Sequence, residues 1–141
     1  MRKTVPWLFS ASLLIAFALS ACNTRPGQTK EDAKSVKLGI VLTTADPETV
    51  FNVFRLANYS AEKGDSVSVF LLGKGVELDQ IKDAKFDVQG HARTFLAKGG
   101  KIMACGTCLK LRNAEGSELC PVSSLKDLYA LVRDSDRVVT F

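Results

Sequence analysis

Residues 37–72, KLGIVLTTADPETVFNVFRLANYSAEKGDSVSVFLL, carry the reading that decides the fold. Lys37 to Thr43 is a short apolar run between polar flanks, the pattern of a buried strand. Asp46-Pro47 starts a helix, with a side-chain acceptor at the N-cap and a preset φ at the first helical position. Val50, Val53, Phe54, Ala57 and Ala61 recur at helical spacing on one face, and Gly64 ends the helix. Ser66 to Leu72 alternates at first and then turns wholly apolar, a second strand. Two strands separated by a helix cannot pair as a hairpin, so they lie parallel in one sheet.

Working outward, Gly73-Lys74-Gly75 breaks the second strand, and Val76 to Lys85 reads only as a helical turn or loop. Asp87 to Lys98 is a further helix, with Val88, Ala92, Phe95 and Leu96 on one side and Gly99-Gly100 as its stop. Lys101 to Ala104 is a short third strand leading directly into Cys105. Thr107 to Arg112 is helix-compatible, and Asn113 to Ser117 is a turn. A weakly marked fourth strand is placed near Glu118 to Cys120. Ser124 with Asp127 resembles a capping box, and Leu125, Leu128, Tyr129 and Val132 form the stripe of the helix that follows. Arg137 to Phe141 closes the chain as the last strand. The order β-α-β-(α)-α-β-α-β-α-β predicts an α/β domain over residues 37–141, a mostly parallel sheet of about five strands with helices on both faces.

The N-terminus has a different character. Arg2 and Lys3 precede an apolar run from Val5 to Ala21, broken only by Pro6, Ser10, Ser12 and Ser20. That is the composition of an export signal over residues 1–21. Leu19-Ser20-Ala21-Cys22 resembles the lipobox of bacterial lipoproteins, which implies lipidation of Cys22 and cleavage before it. Asn23 after the cysteine resembles outer-membrane sorting. The expected location is therefore the cell envelope, anchored in the outer membrane and facing the periplasm; an uncleaved signal anchor is the competing reading. Residues 22–36 are polar and aperiodic, a flexible tether with a reach on the order of 20 Å.

The formal net charge of +4 falls to about +2 once Arg2 and Lys3 are removed. No basic stretch is interleaved with aromatics, so nucleic acid is not an expected partner. The hydrophobic share of 46% with 24% charged residues fits a globular chain, not a disordered one.

Ligands of open parallel sheets bind beyond the carboxyl ends of the strands. Cys105-Gly106-Thr107-Cys108 begins at that edge and opens a helical stretch, where unpaired N–H groups favour thiolate over thiol. Lys110 and Arg112 add positive charge, and Gly106 leaves space over the sulfurs. A C-x-x-C pair leaves three readings open: a redox or sulfur-transfer site, half of a metal site, or a structural pair. Zinc needs four ligands, and recruiting Cys105, Cys108, Cys120 and His91 would require His91 to come round from its own helix. No metal and no other cofactor is expected. Cys120, ahead of Pro121, is the third thiol of the domain; it could pair with one of the other two, and the favoured reading is a small buried residue. Gly73-Lys74-Gly75 lacks the spacing of a phosphate loop, and Asp46 is explained by its cap. No Ser-His-Asp set is visible, and one histidine offers little general-base capacity.

The run Lys101 to Arg112, with Leu125-Lys126-Asp127-Leu128 and the ending Val138-Val139-Thr140-Phe141, resembles the DsrE/DsrF-like family of sulfur-relay proteins. The resemblance implies a three-layer α/β/α fold, assembly as a trimer or hexamer, and a cysteine after the third strand that carries sulfur as a persulfide. That cysteine corresponds to Cys105. Cys108 matches a second cysteine found in some branches, and Arg112 a basic residue one helical stretch later, with Gly106, Thr107 and Lys110 as supporting positions. Well-known members are cytoplasmic, whereas this chain carries an export signal. The expected function is an envelope-tethered, sulfurtransferase-like carrier taking sulfane sulfur from a polysulfide or partner protein. The alternative is a non-catalytic binding or assembly module on the same fold.

Overall fold

The structure, a computed structural model, describes residues 34–141. The expected signal, the lipidated Cys22 and most of the tether lie outside the described residues. In chain order the elements are β1 (Lys37–Leu42), α1 (Pro47–Glu62), β2 (Ser66–Leu71), a 3-10 segment (Gly73–Gln80), α2 (Val88–Ala97), β3 (Lys101–Cys105), α3 (Gly106–Lys110), β4 (Val122–Ser123), α4 (Leu125–Asp134) and β5 (Arg137–Thr140). The five strands form one sheet in the order β4-β3-β2-β1-β5. Every neighbouring pair is parallel. The three-layer α/β/α class follows.

Strand periodicity divides the apolar residues between two layers. Ile40, Leu42, Val67, Val69, Leu71, Ile102 and Ala104 pack with α1, α2 and the 3-10 segment in the larger core. Val41, Phe70 and Met103 point the other way, onto Leu131 of α4. The expected face of α1 is the buried one: Val50, Val53, Phe54 and Ala57 are fully enclosed. Asp46 caps α1, its Oδ2 accepting the Thr49 N–H at 2.8 Å. These hydrogen bonds with Thr49 hold the Asp46 carboxyl below its ordinary value. Gly64 sits just past α1 at φ +92°, a conformation that suits a residue without Cβ.

Three elements differ from expectation. The segment after β2 is a 3-10 helix that begins at Gly73 itself and folds back over the end of β1. There Leu72 N–H donates to Leu42 O at 2.8 Å and Lys74 N–H to Thr43 O at 3.1 Å. The fourth strand lies at Val122–Ser123, not near Glu118 to Cys120. Residues 117–120 close a turn instead, with Ser117 N–H on Cys120 O at 3.1 Å and Cys120 N–H on Ser117 Oγ at 3.0 Å. Pro121 lacks an N–H, yet its carbonyl accepts from Ala104 N–H at 2.8 Å and so brings the chain into register with β3. Finally, the stripe read on α4 faces outward except at Leu128, which packs on the sheet. Leu131 is its buried residue, and Leu125, Tyr129 and Val132 are exposed. The helix is anchored by its capping box, Asp127 Oδ2 accepting Ser124 N–H at 2.8 Å.

The fold-back at the end of β1 requires Gly75. A Cβ there would collide with the Leu42 backbone carbonyl, which has no side-chain freedom to yield. Gly75→Ala is therefore expected to cost about 1–3 kcal/mol, the usual range for overpacking, read as a lower urea midpoint at unchanged slope.

Candidate functional site

β3 delivers Cys105 to the carboxyl edge of the sheet. Its pairing with β4, Ala104 to Val122 and Cys105 to Ser123, fixes the strand to its last residue. Cys105 is also the N-cap of α3, and its Sγ accepts the Cys108 N–H at 3.3 Å. A second backbone donor serves the other sulfur: Gly73 N–H points at Cys108 Sγ at 3.4 Å. Gly73 reaches that position through a left-handed turn at φ +56°, immediately after β2. The C-x-x-C pair is thus held from two adjacent strand ends, each sulfur facing one backbone N–H. Both thiols are free and half-buried.

The supporting residues divide in two. Gly106 gives β4 room: a Cβ there would lie 3.1 Å from Val122 Cγ1 and 3.2 Å from Ser123 O. Thr107 and Lys110 are exposed beside the pair. Arg112 turns back under α3, donating from Nη1 to Cys108 O at 3.2 Å and from Nε to Glu77 Oε1 at 2.6 Å. Both partners of this ion pair are about two-thirds buried, with side-chain exposures of 28% and 32%. It ties α3 to the 3-10 segment that also presents Gly73. Glu77 lies in the stretch the sequence leaves unreadable, and no spacing links it to a partner 35 residues on. Gly73 was legible only as a turn.

The two sulfurs differ in their surroundings. Burial, then hydrogen bonding with Cys105, pushes the Cys108 thiol above its ordinary value, while the Gly73 N–H and Arg112 pull the other way. Cys120 stands apart. It is 1% exposed, its thiol lies 3.6 Å from Val76 O, and burial pushes it up to about 12. His91 belongs to α2, where its ring meets the edge of Phe51 with centroids 4.7 Å apart. Among the described residues no group of three or more His, Cys, Asp or Glu side chains is arranged to hold a metal ion. A groove of about 700 Å³ between α1 and α2 contains His91 and Arg55 but neither paired thiol. A second opening, about 490 Å³, exposes Cys105 between β4, α3 and the start of α4.

Fold and site together define a parallel α/β domain that presents a thiol pair at the carboxyl edge of its sheet. Residues 36–141 match the DsrE/DsrF-like family, and the chain belongs to it. Membership suggests a role of the sulfur-relay type. An uncharacterized protein of Methanocaldococcus jannaschii is 27% identical over 114 residues, covering 75% of this chain and 100% of that protein. One of Methanopyrus kandleri is 28% identical over 103 residues, covering 67% of this chain and 83% of that one. A solved structure of a conserved protein of unknown function from Bacteroides thetaiotaomicron aligns with a TM-score of 0.62 at 23% identity. That alignment covers 75% of this chain and 95% of the other, and it supports the fold alone.

Proposed function

We propose that the chain is a sulfur carrier in which Cys105 accepts sulfane sulfur and Cys108 discharges it. The observation that carries this reading is the placement of the pair: the Cys105 sulfur opens onto a cleft at the sheet edge, and Cys108 stands one helical turn on, its backbone N–H on that sulfur. The Cys105 thiolate attacks the outer sulfur of a donor R–S–SH. A Cys105 Sγ–S bond forms, the donor S–S bond breaks, and the electron pair leaves on RS⁻, giving Cys105–S–SH. Cys108, once deprotonated, attacks Cys105 Sγ, closes a Cys105–Cys108 disulfide and expels HS⁻. The disulfide requires an external dithiol reductant before another cycle.

Incubation of the reduced chain with inorganic polysulfide, followed by peptide mass mapping, tests the first step. Sulfur-mass additions are expected on the peptide that holds Cys105. A wild-type chain that gains none there, with both thiols slow to alkylate, would instead indicate a binding or assembly module.

The export reading extends this proposal. Lipidation at Cys22 would hold the carrier at the envelope, where the donor and acceptor would have to meet it. Metabolic labelling with palmitate is expected to mark the wild type and not Cys22→Ala. An unlabelled wild type removes the anchor from the proposal and leaves the sulfur chemistry intact.

A further inference from the structure

The opening on Cys105 is mostly apolar. Phe70, Leu72, Val122, Leu125 and Leu128 line it beside the short hydroxyl side chains of Thr107, Ser123 and Ser124, and Cys105 packs against both apolar layers of the domain. At about 490 Å³ it falls within the usual range for small-molecule sites. Among the described residues Lys110 is the one cation on its wall, and no carboxylate lines it. A tripeptide persulfide such as that of glutathione would bring two carboxylates and an ammonium to this wall, and desolvating them against leucine and valine is costly. An uncharged sulfur ring brings no charge and gains by leaving water.

Resting on the reading of Cys105 as the sulfur-accepting nucleophile, we propose that this cleft takes uncharged sulfane sulfur, of which cyclic octasulfur is the simplest form. The Cys105 thiolate attacks one ring atom. A Cys105 Sγ–S bond forms, one ring S–S bond breaks, and the electron pair passes to the far sulfur of the opened chain. The product is a Cys105-bound polysulfide with a terminal anion, and no oxidant or reductant is consumed. Lys110 supplies positive charge on the wall that this anion meets. Elongated adducts, several sulfurs at once, are the signature of this route.

The test compares loading of Cys105 in the full chain from dispersed octasulfur and from glutathione persulfide, each rate divided by that of Cys105 alkylation by iodoacetamide. The division removes any change in the nucleophile itself. Wild type is expected to load from octasulfur at least about tenfold faster, the discrimination an apolar pocket readily supplies. Leu125→Asp should erase that preference. Leu125 is exposed at the first position of α4, where an acidic residue suits a helix start, so the variant is expected to fold. Val122→Asp, at a second exposed lining position, should do the same. Equal loading from both donors, or variants that keep the octasulfur preference, would overturn the uncharged-donor inference and leave Cys105 as a carrier. Loading of Cys105 from neither donor would overturn the carrier reading itself.

Discussion

Cys108→Ser is expected to lengthen the lifetime of the Cys105 persulfide by at least about tenfold, because discharge then depends on a thiol from solution instead of a neighbour already in place. The substitution keeps a hydrogen-bond donor beside Cys105 and leaves the Cys108 N–H, which Cys105 Sγ accepts, untouched. Loading is therefore retained, and intact mass should record an adduct that persists after excess polysulfide is removed. In wild type the same period should yield sulfide and a Cys105–Cys108 disulfide. Cys105→Ser should give neither adduct nor sulfide. The pH dependence has a definite sign. Burial raises the Cys108 thiol above its ordinary value near 9.0, so its thiolate fraction keeps growing where an ordinary thiol has levelled. Sulfide release by wild type should still be accelerating above pH 9, while Cys108→Ser, with no second thiol to ionise, should release no sulfide along this limb. Equal adduct lifetimes in wild type and Cys108→Ser would remove Cys108 from the discharge step.

How much of this was legible in the sequence follows from the range of the interactions involved. The helix at Asp46-Pro47 and the strand runs at Ile40 and Val69 are local patterns, and local patterns survive into the fold because each residue's burial depends on its own period. Cys105 at the sheet edge was legible for the same reason: the apolar run of β3 ends there. The fourth strand lies beyond the reach of such patterns, because it is two residues long and its register rests on pairing with Ala104 and Cys105 and on the Pro121 carbonyl, contacts no period announces. The α4 stripe misled in another way. Leu125, Leu128, Tyr129 and Val132 are amphipathic spacing, yet amphipathic spacing says that a face is apolar without saying what it packs against. Only Leu128 and Leu131 reach the sheet. The pair of donors on the thiols was half legible. The N–H that meets Cys105 comes from three residues on and follows from C-x-x-C at a helix start. The one that meets Cys108 comes from Gly73, 35 residues earlier, and depends on the order of strands in space.

Raising the pH from 8 to 12 is expected to strip about 4 kcal/mol from wild-type stability through Cys120 alone, three pKa units at about 1.4 kcal/mol each. The thiol is raised from 9.0 to about 12, first by burial and then by the charge of Asp79, with the Ser117 hydrogen bond opposing. In the unfolded chain the same thiol ionises near 9. Between those values the folded state holds a proton that the unfolded state has lost, so stability falls as pH rises through the window. The contribution is complete below pH 9 and gone above about 12. The difference between the wild-type curve and that of Cys120→Ala isolates this one thiol from everything else that changes at alkaline pH. That variant should be somewhat less stable at pH 8, where it leaves a small void beside Leu119 and Val76. Urea midpoints under reducing conditions should then converge as pH rises, and cross if the void costs less than the titration. Parallel curves would mean that Cys120 ionises in the fold as readily as in water. Convergence carries a functional consequence. A thiol raised that far is no nucleophile at neutral pH, which leaves the pair at the sheet edge as the candidates for thiol chemistry in the described domain.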